Sequence, residues 1–289
     1  MIATSPSEIV GIDHVIIAVR DLERARAGWR RLGFSLTPRG RHSGQGTANH
    51  CIMFETDFLE LLGIVDPGDN VEGLAAFLAG REGARNVAFA PAGSAEDARS
   101  ALLERGLHPS ELRALGRRME LPEGPVIPRF GLIGLAAEDT PGLPGSFVCA
   151  HLTPELMRRP DWLDHPNGAN GLRAIHVLVE RTAPLLPAYD RLCGIQHVTT
   201  TDTVATVHVG RHRIVFSTPD DFVTMHPGIA LDPGLPLPGI VALDLGIADR
   251  DGAMDWLRQK QVAFDELPDG TLVVAASEAN GAILFFSEG

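Results

Sequence analysis

Residues 12–19 read IDHVIIAV, a stretch that is aliphatic apart from Asp13 and His14. β-Branched residues dominate it, which is typical of a short strand packed on at least one face. Apolar residues then recur at helical spacing between residues 22 and 32, and Gly33 follows them. This pattern predicts an amphipathic helix that ends at a left-handed glycine. The chain therefore opens with a strand and a helix, and the strand carries a histidine that needs a reason.

The same succession of strand, helix and glycine occurs four times along the chain. In the second copy Ser94 is followed three residues later by Asp97, which resembles a capping box at the start of a helix. Recurrence of one phrase in this way indicates an internally repeated fold unit. The later copies begin at the strands of Asn86, His176 and Asp244, and they end at Gly106, Gly194 and Gln261, the last of which stands where glycine is expected.

Each predicted helix leads into alternating apolar segments with turn residues between them, which indicates further strands. Each unit thus has one strand, one helix and up to three more strands. A sheet of that size buries one face against its own helix, which leaves the other face free to curve around something. The predicted strands are SLTPRGRH, HCIMFET and FLELLGI in the first unit, residues 112–119, 129–135 and 147–152 in the second, and TVHVG, RIVFST, TLVVAA and AILFFS in the last two.

Composition limits the classes of protein to be considered. The 289 residues, 44% of them hydrophobic, fit two domains better than one. A net charge of −12 argues against a nucleic-acid partner, which requires clustered basic residues. The three cysteines have no CxxC spacing, which favours a reducing compartment. No secretory signal and no membrane-spanning apolar run are visible, so a cytoplasmic location is expected.

Several segments together resemble the vicinal oxygen chelate superfamily, and within it the glyoxalase-like domain group of the glyoxalase, bleomycin-resistance and extradiol dioxygenase fold. They are DHVIIAVRDLERA, GTANHCIMF running into FLELLGI, FVCAH, HPNGANG and IHVLV. The resemblance implies an α+β fold in which four βαβββ modules pair into two half-open, cup-shaped mixed sheets with helices outside. It also implies an N-terminal domain of modules one and two at residues 1–160, a linker at 161–171, and a degenerate domain of modules three and four at 172–289.

In that superfamily a divalent metal is held inside the cup by residues of first and last strands. His14 lies on a first strand, and Glu60 lies within the apolar last strand FLELLGI, where a carboxylate needs a compensating partner. We predict His14, Glu60 and His151 as metal ligands, since two histidines and one carboxylate leave positions open for substrate. Cys149 and Asn86 are weaker candidates. An ion pair of Glu60 with Arg39, Arg41 or Arg129, without a metal, is the structural alternative.

Other residues are candidates for contacting a small-molecule substrate. The tract 161–171, DWLDHPNGANG, is polar and turn-forming, so it is either an interdomain linker or the mouth of the first cup. The last strands of modules three and four contain no acidic residue, so no metal is expected there and the second domain is expected to support the first. The candidate substrate-binding residues are His50, Arg129, Trp162, His165 and Asn167.

The function predicted from this set is a metal-dependent lyase or isomerase acting on a small carbonyl or enediolate-forming substrate, with Glu60 and His151 as catalytic residues. The ion would be Zn, Mn, Ni or Fe(II), acting as a Lewis acid. A non-catalytic sequestering protein of the bleomycin-resistance type and an Fe(II) extradiol dioxygenase are the alternatives. We expect a monomer or homodimer with no membrane partner.

Overall fold

A computed structural model describes residues 8–288, which form 17 strands and seven α-helices. The predicted α+β architecture of two mixed sheets is confirmed. Nine strands make the first sheet: β1 (Ile9–Ala18), β2 (Gly40–His42), β3 (Thr47–Met53), β4 (Phe58–Ile64), β5 (Gly83–Pro91), β6 (Arg113–Leu121), β7 (Gly124–Val126), β8 (Arg129–Gly134) and β9 (Phe147–His151). Eight make the second: β10 (Ala169–Leu178), β11 (Val198–Thr200), β12 (Val204–Val209), β13 (His212–Ser217), β14 (Gly239–Ile247), β15 (Asp265–Glu266), β16 (Leu272–Val274) and β17 (Ile283–Glu288).

The first sheet curls until its two ends meet. Its strand order is β2-β3-β4-β1-β5-β9-β8-β6-β7, and β2 also pairs with β6, His42 opposite Arg117. The second sheet has the order β11-β12-β13-β10-β14-β17-β16-β15 and has no such closing pair among the described residues. The first sheet is therefore a barrel-like cup, with an interior enclosed by strands on all sides.

The helices lie mostly outside the sheets. Four of them are the predicted module helices, α1 (Leu22–Arg31), α3 (Ala95–Glu104), α5 (Leu186–Cys193) and α7 (Arg250–Gln259). The other three, α2 (Glu72–Gly80), α4 (Pro160–Leu163) and α6 (Pro219–Met225), were not anticipated from the sequence. Asp21 caps α1 through its side chain, which accepts from the amides of Glu23 and Arg24, and Ser94 caps α3 through the amide of Asp97.

Gln261 shows how strictly the modules repeat. After α1 the chain turns at Gly33 with φ +96°, and after α7 it turns at Gln261 with φ +54°. The left-handed conformation is thus kept at the module end even where the residue carries a Cβ.

β1 and β10 are related residue by residue. In the first sheet His14 is opposite Ala88 of β5, and in the second sheet Ala174 is opposite Asp244 of β14. Both strands shift register by one residue just before these pairs, so that Asp13 and Arg173 are extra, bulged residues. Such a bulge turns two consecutive side chains toward the same side of a sheet.

The two sheets share one apolar core, formed by the helix-facing sides of the strands. Trp29 of α1 is fully buried there and donates its indole N–H to Asn280 of the second half, at 3.0 Å. Because the halves bury apolar surface against each other, the second sheet fixes the outer face of the first. No helix within residues 8–288 combines the length and apolar character needed to cross a membrane.

Candidate active site

His14 points into the first cup because of the bulge at Asp13. Its Nδ1 lies 2.7 Å from Oδ2 of Asp13, and its ring stacks on Phe58 with the centroids 4.3 Å apart. The contact with a carboxylate places the proton on Nδ1 and directs Nε2 away from Asp13. His14 is thus held in one orientation by its own neighbour, an aspartate that strict strand alternation would put on the opposite face.

Glu60 is the buried carboxylate of this interior. Its Oε2 lies 3.4 Å from Nε2 of His14, and its Oε1 accepts from the side-chain amide of Asn49 at 2.5 Å. Nε2 of His42 is 3.6 Å from the same Oε1. The ion pair with Arg39 or Arg41 that the sequence left open is absent, because those arginines contact Glu23 and Asp66.

His151 and Cys149 come from β9, across the cup. Nε2 of His151 lies 2.9 Å from Oδ1 of Asp13, and its Nδ1 has no hydrogen-bond partner. Among the described residues, one group of three metal-ligating side chains has all its ligand atoms within 4.8 Å of one another: Asp13, His14 and Cys149. The predicted ligand His151 therefore joins the site through Asp13 and does not contact Glu60.

These contacts shift the pKa values of the buried groups in opposite directions. Burial opposes a charge on His14, but the hydrogen bonds and negative charges of Asp13 and Glu60 outweigh it and raise its pKa to about 9. Burial would raise the pKa of Glu60, yet the hydrogen bond with His14 and the proximity of His42 lower it to about 2. The pKa of Asp13 is lowered by His14 and His151 in spite of burial. Without a metal, the site is a buried row of two carboxylates and an imidazolium.

The second module does not repeat the polar pair of the first. The two modules correspond by an exchange of β1 and β5, which pair antiparallel. His14 pairs with Ala88 and Ile16 pairs with Asn86, so the exchange places Asn86 at the position of His14 and Ala88 at the position of Ile16. Parallel pairing sets Glu60 beside Ile16 and Phe147 beside Ala88, which makes Phe147 the counterpart of Glu60. The amide of Asn86 is already engaged, donating to the carbonyls of Pro144 and Gly145 and accepting from Arg85.

A cavity of about 270 Å³ lies in front of His14 and Glu60. This volume is at the lower limit of small-molecule pockets, which are typically about 300–1,000 Å³. Its wall combines aromatic rings, aliphatic side chains and three arginines. Besides His14 and Glu60, the lining includes Phe58, Asn49, His42, Phe130, Phe147, Cys149, Arg85, Arg113 and Arg117.

None of the other predicted substrate contacts lines this cavity. His50 is on the opposite face of β3 from Asn49, with Nδ1 2.8 Å from the carbonyl oxygen of Thr37. His165 accepts from the amide of Ser35 through Nδ1, and Asn167 donates to the carbonyl of Leu32. Trp162 is buried in the apolar cluster that also contains the cavity-lining residues Phe58 and Phe130. Arg129 is exposed at the start of β8. The tract 161–171 thus ties the second half to the first module.

Sequence reasoning did not identify Asp13, Asn49 or Arg117 as site residues. Asp13 precedes His14 directly, and only the bulge brings both to one side. Asn49 directly precedes His50, and neighbouring strand residues point to opposite faces of the sheet. An error of one residue in assigning the inner face therefore selected His50 and missed Asn49. The alternation of Arg113, Leu115 and Arg117 along β6 was the available signal for the third.

The fold family implies a divalent metal ion, and His14 and Glu60 fit two of its coordination positions. Asp13 binds the far nitrogen of His14, as a carboxylate commonly does behind a metal-binding histidine. Two ligands about 2.1 Å from a tetrahedral ion are about 3.4 Å apart, and the Nε2–Oε2 distance is 3.4 Å. Imidazole and carboxylate together suit Zn, Mn, Ni or Fe(II). Asn86 and Phe147 supply no further ligand.

A family model described as a glyoxalase-like domain matches residues 12–193. The match spans the first sheet and the start of the second, which is more than half of the chain. The chain therefore belongs to the glyoxalase-like domain family of the vicinal oxygen chelate superfamily. No curated protein sequence matches it.

Solved structures share the fold at low sequence identity. A hypothetical protein from Staphylococcus aureus is 11% identical with a TM-score of 0.68, over 96% of this chain and 99% of that one. A catechol 2,3-dioxygenase is 12% identical with a TM-score of 0.55, over 98% and 94%. A mutant of 4-hydroxymandelate synthase from Streptomyces coelicolor is 12% identical with a TM-score of 0.52, over 98% and 93%. At this identity the likeness extends to the fold alone.

Proposed function

We propose that this member of the glyoxalase-like family is a metal-dependent lyase or isomerase that acts on a small carbonyl or enediolate-forming substrate. One observation carries the proposal: Nε2 of His14 and Oε2 of Glu60 converge to 3.4 Å inside a cavity, with Asp13 behind His14. A buried, oriented imidazole and carboxylate in an accessible cavity are the groups that proton transfer next to a carbonyl requires.

His14 and Glu60 would hold the ion, and the ion would supply Lewis acidity toward the substrate carbonyl. Asn49 holds Oε1 of Glu60, which fixes the carboxylate so that Oε2 faces the cavity. Glu60 is the group that takes the proton from the carbon beside the carbonyl and returns it. His151 acts as a positioning residue, because its bond to Asp13 holds the carboxylate that orients His14.

The wall around this pair is largely aromatic. Phe58 stacks on His14, and Phe147 meets the same ring edge-on with the centroids 5.6 Å apart. Phe130 packs edge-on against His151, at 5.1 Å. Apolar rings on these sides strengthen electrostatic interactions at the carboxylate, because the local dielectric constant is lower than that of water.

Metal analysis of protein purified without chelator tests the proposal. About one equivalent of a divalent ion per chain is expected, with loss of the ion in Glu60→Gln. Asp244→Asn is the matched control, since Asp244 is a largely buried carboxylate of the second sheet that bonds Ser287 and Arg213. The catalytic step is tested by following deuterium incorporation into pyruvate in D2O by proton NMR. A metal-free wild type, or exchange that survives in Glu60→Gln, contradicts the proposal.

A non-catalytic sequestering protein is the second candidate, and Phe147 is the observation that favours it. An aromatic ring stands where the second module would place the counterpart of Glu60, so the ring side of the cavity resembles a binding site more than a metal centre. Stoichiometric ligand binding by metal-free protein, without any deuterium exchange, would favour this function. An Fe(II) dioxygenase of the extradiol type is less favoured. The resemblance to that group implies a histidine ligand on the first strand of each module, and the second module has Asn86 at that position.

A further inference from the structure

Arg117 is a buried cation with no negative partner. Its side chain lies on β6 and only 2% of the residue is exposed. Its guanidinium donates to Sγ of Cys51 at 2.8 Å, to Sδ of Met119 at 2.7 Å and to Oγ1 of Thr37 at 3.4 Å. Its Nε has no partner, and no carboxylate within residues 8–288 forms an ion pair with it.

The sulfur contacts do not neutralise this charge. Burial raises the pKa of the Cys51 thiol to about 12, so the sulfur near the guanidinium stays protonated. Thioethers and thiols are weak acceptors, and arginine keeps its proton in proteins. A guanidinium buried in this way is costly unless an anion reaches it. Since Arg117 lines the cavity that contains His14 and Glu60, the position from which an anion can reach it is that cavity.

Two further arginines border the same cavity. Arg85 is a bulged residue of β5, at the position that corresponds to Asp13 of β1, and it donates to the amide oxygen of Asn86. Arg113 lies on the same face of β6 as Arg117. Neither has an ion-pair partner in the described part of the chain. The lining thus sets three guanidinium groups against the single carboxylate of Glu60, in a protein whose net charge is −12.

We infer that Arg117, with Arg85 and Arg113, binds the oxyanion group of the substrate, so that the substrate is a small carbonyl compound bearing a carboxylate or phosphate. This inference rests on the proposed function for the carbonyl end, which faces His14 and Glu60. Arginine forks match carboxylate and phosphate oxygens with paired hydrogen bonds. The first module then supplies the acid–base pair and the second module supplies the cationic wall.

Binding to metal-free protein tests the inference without the metal. The protein is treated with chelator, the chelator is removed, and pyruvate, its neutral analogue pyruvamide, and inorganic phosphate are titrated by calorimetry. Pyruvate or phosphate is expected to bind at least about tenfold more tightly than pyruvamide, because hydrogen bonds to a charged group are stronger than those to a neutral one. The stronger of the two anions identifies the oxyanion. Equal affinity for pyruvate and pyruvamide, with no phosphate binding, overturns the inference.

Arg117→Met separates ligand binding from a structural role. Methionine keeps the apolar volume among the sulfur atoms and removes the charge, so we expect an unfolding midpoint at or above that of the wild type together with loss of the preference for pyruvate. The control is Arg118→Met, since Arg118 is exposed and bonds Glu120. A destabilised Arg117→Met that still prefers pyruvate, or an equal loss in Arg118→Met, overturns the inference. Anion selectivity in a protein that never binds metal would sustain this inference while the proposed function fails.

Discussion

In the first sheet the residue after the bulge of the leading strand is His14, and in the second sheet the residue at the same register is Ala174. In the same way Glu60 of β4 corresponds to Val215 of β13. Glu60 lies beside the residue two after His14, and Val215 lies beside the residue two after Ala174. The backbones thus repeat down to the bulge, while the histidine and the glutamate at these positions occur in only one half. Register and bulges belong to the fold, and the buried pair of His14 and Glu60 is an addition to it.

The interior of the second sheet is filled by rings where the first has a cavity. His176 lies against Phe222, His226 and Phe285, with ring centroids 5.3–5.8 Å apart. Burial lowers the pKa of His176 to about 3, so it is a neutral core residue. Packed rings thus occupy this part of the second half's interior, which agrees with a supporting role for that half. Of the two histidines on leading strands, His14 is protonated at neutral pH in metal-free protein and His176 is neutral.

The halves are joined by a buried pair that follows the same correspondence. Asp57 precedes β4 and His212 begins β13 at the equivalent position. Oδ1 of Asp57 accepts from the amide of Leu172, and Nδ1 of His212 accepts from the amide of Ile12. Nε2 of His212 then donates to Oδ2 of Asp57 at 3.2 Å. A side chain of each half thus accepts from the backbone amide that directly precedes the bulge in the other half.

The largest effect is expected from Asp57→Ala. Loss of the carboxylate leaves the Leu172 amide and the His212 ring N–H buried without an acceptor, which should lower the free energy of unfolding by about 3–5 kcal/mol. Urea unfolding monitored by circular dichroism measures this. Thr56→Ala is the control, because Thr56 bonds the same carboxylate from an exposed position and should change stability by less than about 1 kcal/mol. Similar losses in the two variants would contradict the stabilising role of the Asp57–His212 pair.

The next effect concerns pH. In metal-free protein the pKa of His14 is raised from 6.5 to about 9, so its contribution to stability is complete below pH 6.5 and is lost as the pH rises through 9. The full loss corresponds to about 3 kcal/mol. The pKa of His176 is lowered from 6.5 to about 3, so its contribution is present above pH 6.5 and is lost as the pH falls toward 3. Urea unfolding between pH 4 and 10 measures both limbs.

Two variants separate these limbs. His14→Gln should remove the decrease in stability between pH 6.5 and 9. His176→Gln should leave the alkaline decrease as it is in the wild type. An alkaline decrease that persists in His14→Gln would show that the two carboxylates do not hold an imidazolium in the first cup.

Repetition made the fold readable from the sequence. The strand and helix of each module were predicted from periodicity, and even the left-handed turn at Gln261 follows from its place in the repeat. The α2 helix was missed because it lies outside the repeated phrase. Contacts that depend on two distant residues, such as Asp57 with His212, leave no local pattern, because neither residue is unusual in its own segment.

The site was only partly readable, for a reason of strand geometry. Predicting which side chains share a face assumes unbroken alternation, and the bulge at Asp13 breaks it. Asp13 was therefore passed over although it is adjacent to His14. A similar one-residue uncertainty led to His50 where Asn49 faces the cavity. The roles of His14 and Glu60 stay predictions that the metal experiments address, and the role of His151 also stays a prediction.

The bulged residues offer a third test. Asp13→Asn keeps the shape of the side chain but removes the charge that holds the proton on Nδ1 of His14. A carboxylate behind a metal-binding histidine typically contributes about 10- to 100-fold to metal affinity, and we expect a loss in this range. Competition of the protein with a chromophoric chelator for Zn measures it. Arg173→Gln, at the equivalent bulge of the second sheet, is expected to leave the affinity unchanged, and a parallel loss there would remove the distinction between the halves.

The smallest effect is expected from Asn86→Ala, which gives the first sheet the residue that the second has at Ala242. Asn86 donates to the carbonyls of Pro144 and Gly145 at 3.1 and 3.0 Å, so the loss of two hydrogen bonds should cost about 1–2 kcal/mol. Faster proteolysis between residues 136 and 146, together with urea unfolding, measures this. Since the amide is fully engaged in these contacts, Zn affinity should stay unchanged. If it falls as far as in Glu60→Gln, Asn86 is a ligand, and the second module contributes to the metal site as well as to the cationic wall.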